Sequence, residues 1–322
     1  MQLTIRRATP DDRPALLQLF SVAFSAPAEP EVWAWKYDRN PNPAPASVAV
    51  ADGRIAGFCG SFGTRYFGAE GSWPGTSATD VMTDPGARKL GRRSLFASLI
   101  GGWYAFSAEA GIPFGFGFPN ARHRDVGMKT TDYRLVEHVS EWSRPLETPS
   151  RLARLRRGLL KVVCAEPFGA AHEPLAEAVH AQEGWRTERS ARVLNWRFGE
   201  KPGAAYRTFQ LLDRRGHSRA YAVLRAVGER ALLVDLQSAD PRGGALPDLV
   251  NRVADTLAGT GARTLDVRAA SRSALAARLE GEMGFARRSS DTSLVMRPFF
   301  EALDFERVKS GFDFRFGDHE IF

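Results

Sequence analysis

The feature that most limits what this chain can fold into is an alternation of strand and helix patterns, run through twice. On the first pass, Leu3 to Ala8 reads as a short strand. Pro10 to Phe24 follows as a helix with Thr9 as N-cap, Pro10 at its first position and Asp11 and Asp12 in its first turn. Leu16, Leu19, Phe20 and Ala23 recur there at helical spacing. A second helical stretch, EPEVWAWKYDRN, ends at Asn40-Pro41-Asn42-Pro43. Ser47–Ala51 and Arg54–Phe62 form a hairpin about Asp52-Gly53. Further strands are expected at Thr76–Thr83, Ile112–Phe118 and Tyr133–Trp142, and a long helix at Arg92–Ala110 is stopped by Gly111.

The Pro- and Ser-rich run Ser143–Ser150 reads as a boundary, and RLARLRRGLLKVV after it as a basic amphipathic helix with a solvated arginine face. From Tyr206 the second pass begins: three strands, a helix at Leu246–Leu257, a strand at Thr264–Arg268, a helix near Ala274–Leu279 and a strand at Thr292–Arg297. This order gives an expected division into residues 1–146, a helical linker 147–190, a second lobe 191–300 and a tail 301–322. With 322 residues the chain has the length of two domains.

Composition excludes several classes. Hydrophobic residues make up 43%, with 21 Phe and 7 Trp, which is enough for well-packed cores. No apolar run approaches the ~20 residues of a membrane span, and the N-terminus has no apolar leader segment, so a cytoplasmic compartment is expected. Two cysteines, Cys59 and Cys164, are too few for a disulfide framework or a cysteine metal site. No Walker loop, no His-Glu-x-x-His and no Gly-x-Ser-x-Gly occurs, so no metal is expected. The net charge of +7, carried mostly by arginine, suits solubility and also anionic partners.

The segment SATDVMTDPGARKLGRRSL, Ser77 to Leu95, bears most on chemistry. A strand runs through a loop with Gly86, Gly91 and four basic residues into a helix, which presents free backbone N–H groups and a positive dipole to an anion. Thr83-Asp84-Pro85-Gly86-Ala87-Arg88-Lys89-Leu90-Gly91-Arg92-Arg93 resembles motif A of the GNAT superfamily of acyl-CoA N-acyltransferases. Arg88 and Gly91 match, while Arg93 stands where the family has Gly or Ala. IRRATPDDRPALLQLF, VAVADGRIAGFCGSF and GIPFGFGFPNARHRD also look like parts of that fold, and VLNWRF with DVRAASRSALAARLEGEMGFARR resembles a second, degenerate copy.

The resemblance implies an α/β protein of two tandem GNAT-like lobes, each a mixed, mostly antiparallel sheet flanked by helices. It implies acetyl-CoA or another acyl-CoA as co-substrate and direct acyl transfer to an amine acceptor, a small molecule or a peptide. Arg88, Lys89, Leu90, Gly91, Arg92 and Arg93 would hold the pyrophosphate. Val81, Met82 and Thr83 would bind the pantetheine and polarise the acyl carbonyl, and Asn120 would lie near the thiol. Asp80, on the same strand, is the carboxylate placed to act as base. Where many members carry a Tyr acid this chain has Arg122-His123-Arg124, so His123 is the second catalytic candidate. Trp33, Trp35, Tyr37 and Trp73 are candidates for a pocket wall. Two other readings share the lobes: a Fem-type transferase using aminoacyl-tRNA, the one case in which nucleic acid would be a partner, and a non-catalytic binding protein.

Overall fold

The computed structural model describes residues 3–87, 94–146, 161–164, 167–257 and 260–319, the backbone alone for 161–164. Two compact units result, neither contiguous in sequence. The first takes residues 1–66, 72–137 and 292–309; the second takes 67–71, 138–291 and 310–322.

In the first unit, β1 (Leu3–Arg7), β2 (Ser47–Ala51), β3 (Arg54–Gly68), β4 (Gly71–Thr83) and β5 (Phe114–Gly117) lie in that order across the sheet. The β1–β2–β3 pairings are antiparallel, β4–β5 is parallel, and β5 pairs antiparallel with Val295–Pro298 of β13 (Ala286–Pro298). The period of two along a strand sends neighbouring side chains to opposite faces. Val48 and Phe58 join Leu16, Leu19, Trp33 and Met82 under α1 (Arg13–Phe24) and α2 (Pro30–Trp33). Ala49 and Cys59, one residue on, join Leu95, Leu99, Ile100 and Trp103 of α3 (Leu95–Glu109) on the other face. The Ser94 hydroxyl caps α3 by accepting from Ala97 N–H at 3.2 Å. Next comes α4 (Ala121–Thr130), followed by β6 (Arg134–Pro145).

In the second unit, α5 (Glu173–His180) and α6 (Ala191–Leu194) precede the antiparallel β9 (Arg207–Leu212), β10 (Ser218–Val227) and β11 (Arg230–Ser238). Short β7 (Lys161–Cys164) borders β9, and β8 (Arg186–Thr187) is a two-residue strand. β11 pairs parallel with β12 (Thr264–Ala269), which pairs antiparallel with β6. One face is covered by α7 (Ala245–Thr256), which buries Leu246, Leu249, Val250 and Val253 at i, i+3, i+4 and i+7. α8 (Ala274–Gly281) packs on the same cluster. The other face carries Phe168, Leu175, Leu194, Tyr221 and, from the tail after α9 (Phe305–Gly311), Phe316.

Several local expectations change. Pro10–Asp12 is a 3-10 turn ahead of α1, because the Asp12 carboxylate turns back to accept from Thr9 N–H and to bind Arg6 at 2.7 Å. The expected boundary at Ser143 is still strand, since Ser143, Arg144 and Pro145 sit in register opposite Asp266, Leu265 and Thr264. Lys161–Val163, the end of the expected basic helix, belongs to β7; residues 147–160 lie outside the described residues. β13 begins at Ala286, six residues before the expected start, because ladder pairing extends it through the polar run Arg287–Asp291, where no apolar alternation marks it.

Candidate active site

The parallel ladder of β4 and β5 registers Thr76 with Gly115 and Ser77 with Phe116, and β4 then continues for six residues to Thr83. Within that extension Asp80 has φ +46°, a left-handed conformation inside a strand. Such a break acts as a bulge and re-aims side chains. The ammonium of Lys36 meets both Thr79 Oγ1, at 3.5 Å, and the carboxylate of Asp80, so two consecutive residues reach one group.

Asp80 is held closely. Lys36 Nζ lies 2.9 Å from Oδ2 and 3.1 Å from Oδ1, and Tyr37 Oη donates to Oδ2 at 2.6 Å. Lys36 and Tyr37 come from the segment that continues α2, Ala34–Asp38, which closes as a π turn through Arg39 N–H to Ala34 O at 2.8 Å. The wider turn lets Lys36 and Tyr37, adjacent in sequence, both face one carboxylate. Gly60 on β3 makes room for them: a β-carbon there would lie 2.2 Å from the Tyr37 hydroxyl and 2.8 Å from Thr79 O. The Lys36 and Asp80 side chains keep 11% and 13% of their exposure, so the pair is largely but not wholly shielded from water.

Beside this pair is a cavity of about 300 Å³ whose walls include Arg13, Trp33, Lys36, Tyr37, Asp38 and Phe58. Trp33 packs on Tyr37 and Phe58 with ring centroids 4.5 and 5.4 Å apart. Arg13 and Asp38 pair at 3.0 Å. Of the expected aromatic wall, Trp33 and Tyr37 line this cavity. Trp35 is fully buried against Phe62, and Trp73 lies on β4 away from the cavity wall.

His123 occupies the first turn of α4, with its ring edge-on to Phe96 at 5.2 Å and 6.1 Å from that of Tyr133. Its Nε2 is buried with no hydrogen-bond partner among the described residues. Burial holds the imidazole below its ordinary pKa, so it is neutral at pH 7. Asn120 is exposed and caps α4, its Oδ1 accepting from His123 N–H at 2.9 Å. Asp80 reaches the α2 side of the sheet, whereas Phe96 and Tyr133, which flank His123, pack with the α3 cluster. The two candidates therefore belong to different layers.

Met82 is buried in the α1–α2 core and Val81 packs with the α3 cluster. Asp84 N–H bonds Ala56 O at 2.8 Å and Gly86 N–H bonds the Asp84 carboxylate at 2.7 Å, which shapes the chain leading out of β4. Arg88, Lys89, Leu90, Gly91, Arg92 and Arg93 lie outside the described residues. Among the described residues no group of three His, Cys, Asp or Glu could hold a metal ion, and no helix is long and apolar enough to cross a membrane.

Lys36 is the residue that reading the sequence leaves out. Its trace is an internal echo, Trp35-Lys36-Tyr37 against Trp196-Arg197-Phe198, each continuing a short helix into a π turn.

Residues 4–125 match the family model of the acetyltransferase (GNAT) domain. No curated protein matches the chain in sequence. Among solved structures, a probable N-acyltransferase from Enterococcus faecalis aligns with TM-score 0.73 at 9% identity, over 93% of this chain and 73% of that one. A GCN5-related N-acetyltransferase from Anabaena variabilis aligns with TM-score 0.65 at 14% identity, over 93% and 73%. A tandem GNAT protein from the clavulanic acid biosynthesis pathway aligns with TM-score 0.54 at 12% identity, over 94% of this chain and all of that one. Residues 4–125 thus carry a GNAT acetyltransferase domain, and the chain as a whole has the fold of GNAT N-acetyltransferases, a tandem GNAT protein among them.

Proposed function

We propose that the first unit transfers an acyl group from acyl-CoA to a primary amine by direct attack, with Asp80 as the base. The observation that carries this reading is the strained Asp80, set just beyond the last β4–β5 pair and beside a cavity of about 300 Å³. A left-handed residue in a strand costs on the order of 1–3 kcal/mol and persists where its surroundings enforce it, commonly at sites of function. Here Lys36 and Tyr37 supply that enforcement.

The amine nitrogen attacks the thioester carbonyl carbon, the C–N bond forms, the C–S bond breaks and CoA leaves as thiolate. The amine proton passes to Asp80, directly or through one water. A carboxylate has about four lone-pair sites, so the Lys36 and Tyr37 contacts leave room for one more donor. Backbone N–H groups of Val81 to Thr83 are assigned to the donor's pantetheine and to the developing oxyanion. Arg88 to Arg93 are assigned to its pyrophosphate. Asn120 and His123 are assigned to the thiol end, where a neutral imidazole can hydrogen-bond the departing sulfur. The cavity takes the body of the acceptor, its aromatic wall favouring an acceptor with an apolar face.

Calorimetric titration of the full chain with acetyl-CoA, followed by a CoA-release assay against a panel of primary amines, tests the reading. Saturable binding at one per chain with amine-dependent thiol release is expected. Absence of binding by acetyl-CoA and by longer acyl-CoAs would contradict it.

A further inference from the structure

The second unit repeats the Asp80 arrangement in altered form. Ala191–Leu194 runs into a π turn at Asn195–Gly199, closed by Glu200 N–H to Asn195 O at 3.0 Å, as Ala34–Asp38 is closed in the first unit. Arg197 and Phe198 thus stand where Lys36 and Tyr37 stand. Asp80 lies three residues before the end of β4, and Asp235 lies three residues before the end of β11. β11 carries a bulge at that point: Val223 registers with Asp235 and Leu224 with Leu233, leaving Val234 extra. β11 also loses its parallel partner beyond Leu233–Val267, as β4 does beyond Ser77–Phe116.

What differs is that the chain's own tail enters the gap. Arg315 makes an antiparallel bridge with Ala269, and its Nε donates to Leu236 O at 3.2 Å. Phe314 O accepts from Ala270 N–H at 3.3 Å. The tail thereby touches both strands past their last mutual pair, Leu233–Val267. A β-carbon on Gly317 would lie 3.0 Å from Phe198 Cζ, 3.2 Å from Val234 O and 3.5 Å from Asp235 Oδ2. Phe198 Cζ is the ring position from which Tyr37 extends its hydroxyl to Asp80 in the first unit. Arg189 binds Asp235 at 2.7 Å and Asp318 of the tail at 2.9 Å, and Arg197 donates to His319 O at 2.6 Å. Phe314 and Phe316 are 1% and 2% exposed.

We infer that the segment 312–319 is a built-in occupant of the second unit's counterpart of the Asp80 site. It fills the divergence of β11 and β12 and, with Arg189, takes Asp235 out of contact with any substrate. Where the first-unit donor reading holds, the chain binds one acyl-CoA and not two.

The test uses the full chain and hydrogen exchange, which needs no ligand. Phe198→Tyr adds a hydroxyl into the space of Gly317, and Gly317→Ala adds a methyl from the opposite side. Both are expected to speed exchange of amides 312–319 at least tenfold while β9 and β10 keep their protection. Unchanged exchange at 312–319 in both variants would overturn the inference, because the tail would then not fill that space. Loss of protection throughout β9 and β10 together with the tail would also overturn it, making the tail an ordinary part of the core. If Phe198→Tyr does not fold, Gly317→Ala decides alone. Acetyl-CoA binding, read on the same samples, is expected to be unaltered; its absence in the parent chain would count against the transfer reading and leave this one standing.

Discussion

At Asp80 three local circumstances meet: a φ of +46°, an ion pair with Lys36 and the Tyr37 hydroxyl at 2.6 Å. The position of this carboxylate on the fourth strand is legible from Thr79-Asp80-Val81 ahead of the Pro-Gly turn. Lys36 is not legible in the same way, because it joins the site through a π turn that no residue pattern of α2 announces. Asn120 and His123 are legible as a pair after a short apolar strand, but not that one caps the helix on which the other sits. Removing the Tyr37 hydroxyl deletes one hydrogen bond to a charged group, worth about 1.5–3 kcal/mol. If that bond orients the base, Tyr37→Phe should lower kcat/KM by about 10- to 100-fold, which steady-state kinetics would show. Gly60→Ala should be worse for the fold, since its methyl would overlap the Tyr37 hydroxyl and Thr79 O. A loss of about 1–3 kcal/mol is expected in denaturant titration; an unchanged midpoint would show that Tyr37 can move aside.

Among the elements, those with strong periodicity are the ones the sequence declares. α1, α3 and α7 bury residues at helical spacing, and the β2–β3 hairpin follows from Asp52-Gly53. The last three residues of β6, Ser143–Pro145, and the N-terminal half of β13 are silent in sequence because their residues carry no apolar alternation and their pairing comes from strands far along the chain. For the same reason nothing in the tail predicts that Phe314–Asp318 packs against β11 and β12, some 80 and 45 residues earlier. At the start of α3, helix stability rests in part on one side chain, Ser94. Ser94→Ala removes the cap on Ala97 N–H and should cost about 1 kcal/mol in thermal unfolding. No loss of stability would mean that the helix start is satisfied by other groups.

For the whole chain, acid stability follows from three histidines kept neutral. Burial lowers His123, His172 and His180, the last to about 4, with Arg189 and Arg186 adding to its shift. His180 Nε2 accepts from Arg189 N–H at 2.9 Å while its ring stacks on Phe67, so a proton there would break a bond the fold uses. Between pH 6.5 and about 4 the unfolded chain binds more protons than the folded one, so stability falls as pH falls through that window. His180 alone should account for on the order of 2 kcal/mol between pH 7 and pH 5. Urea unfolding at the two pH values should show this loss, and His180→Gln should shrink the difference; an equal pH dependence in both proteins would contradict the assignment. The central claim is that the first unit uses Asp80 to take the proton of an attacking amine. Asn tolerates the left-handed conformation and keeps an oxygen for Tyr37, so Asp80→Asn removes the base with little change in shape. Measured side by side with the parent chain, this variant is predicted to bind acetyl-CoA with unchanged Kd and to lose at least about 100-fold in kcat/KM for the amine. Acyl transfer at the parent rate would contradict the account.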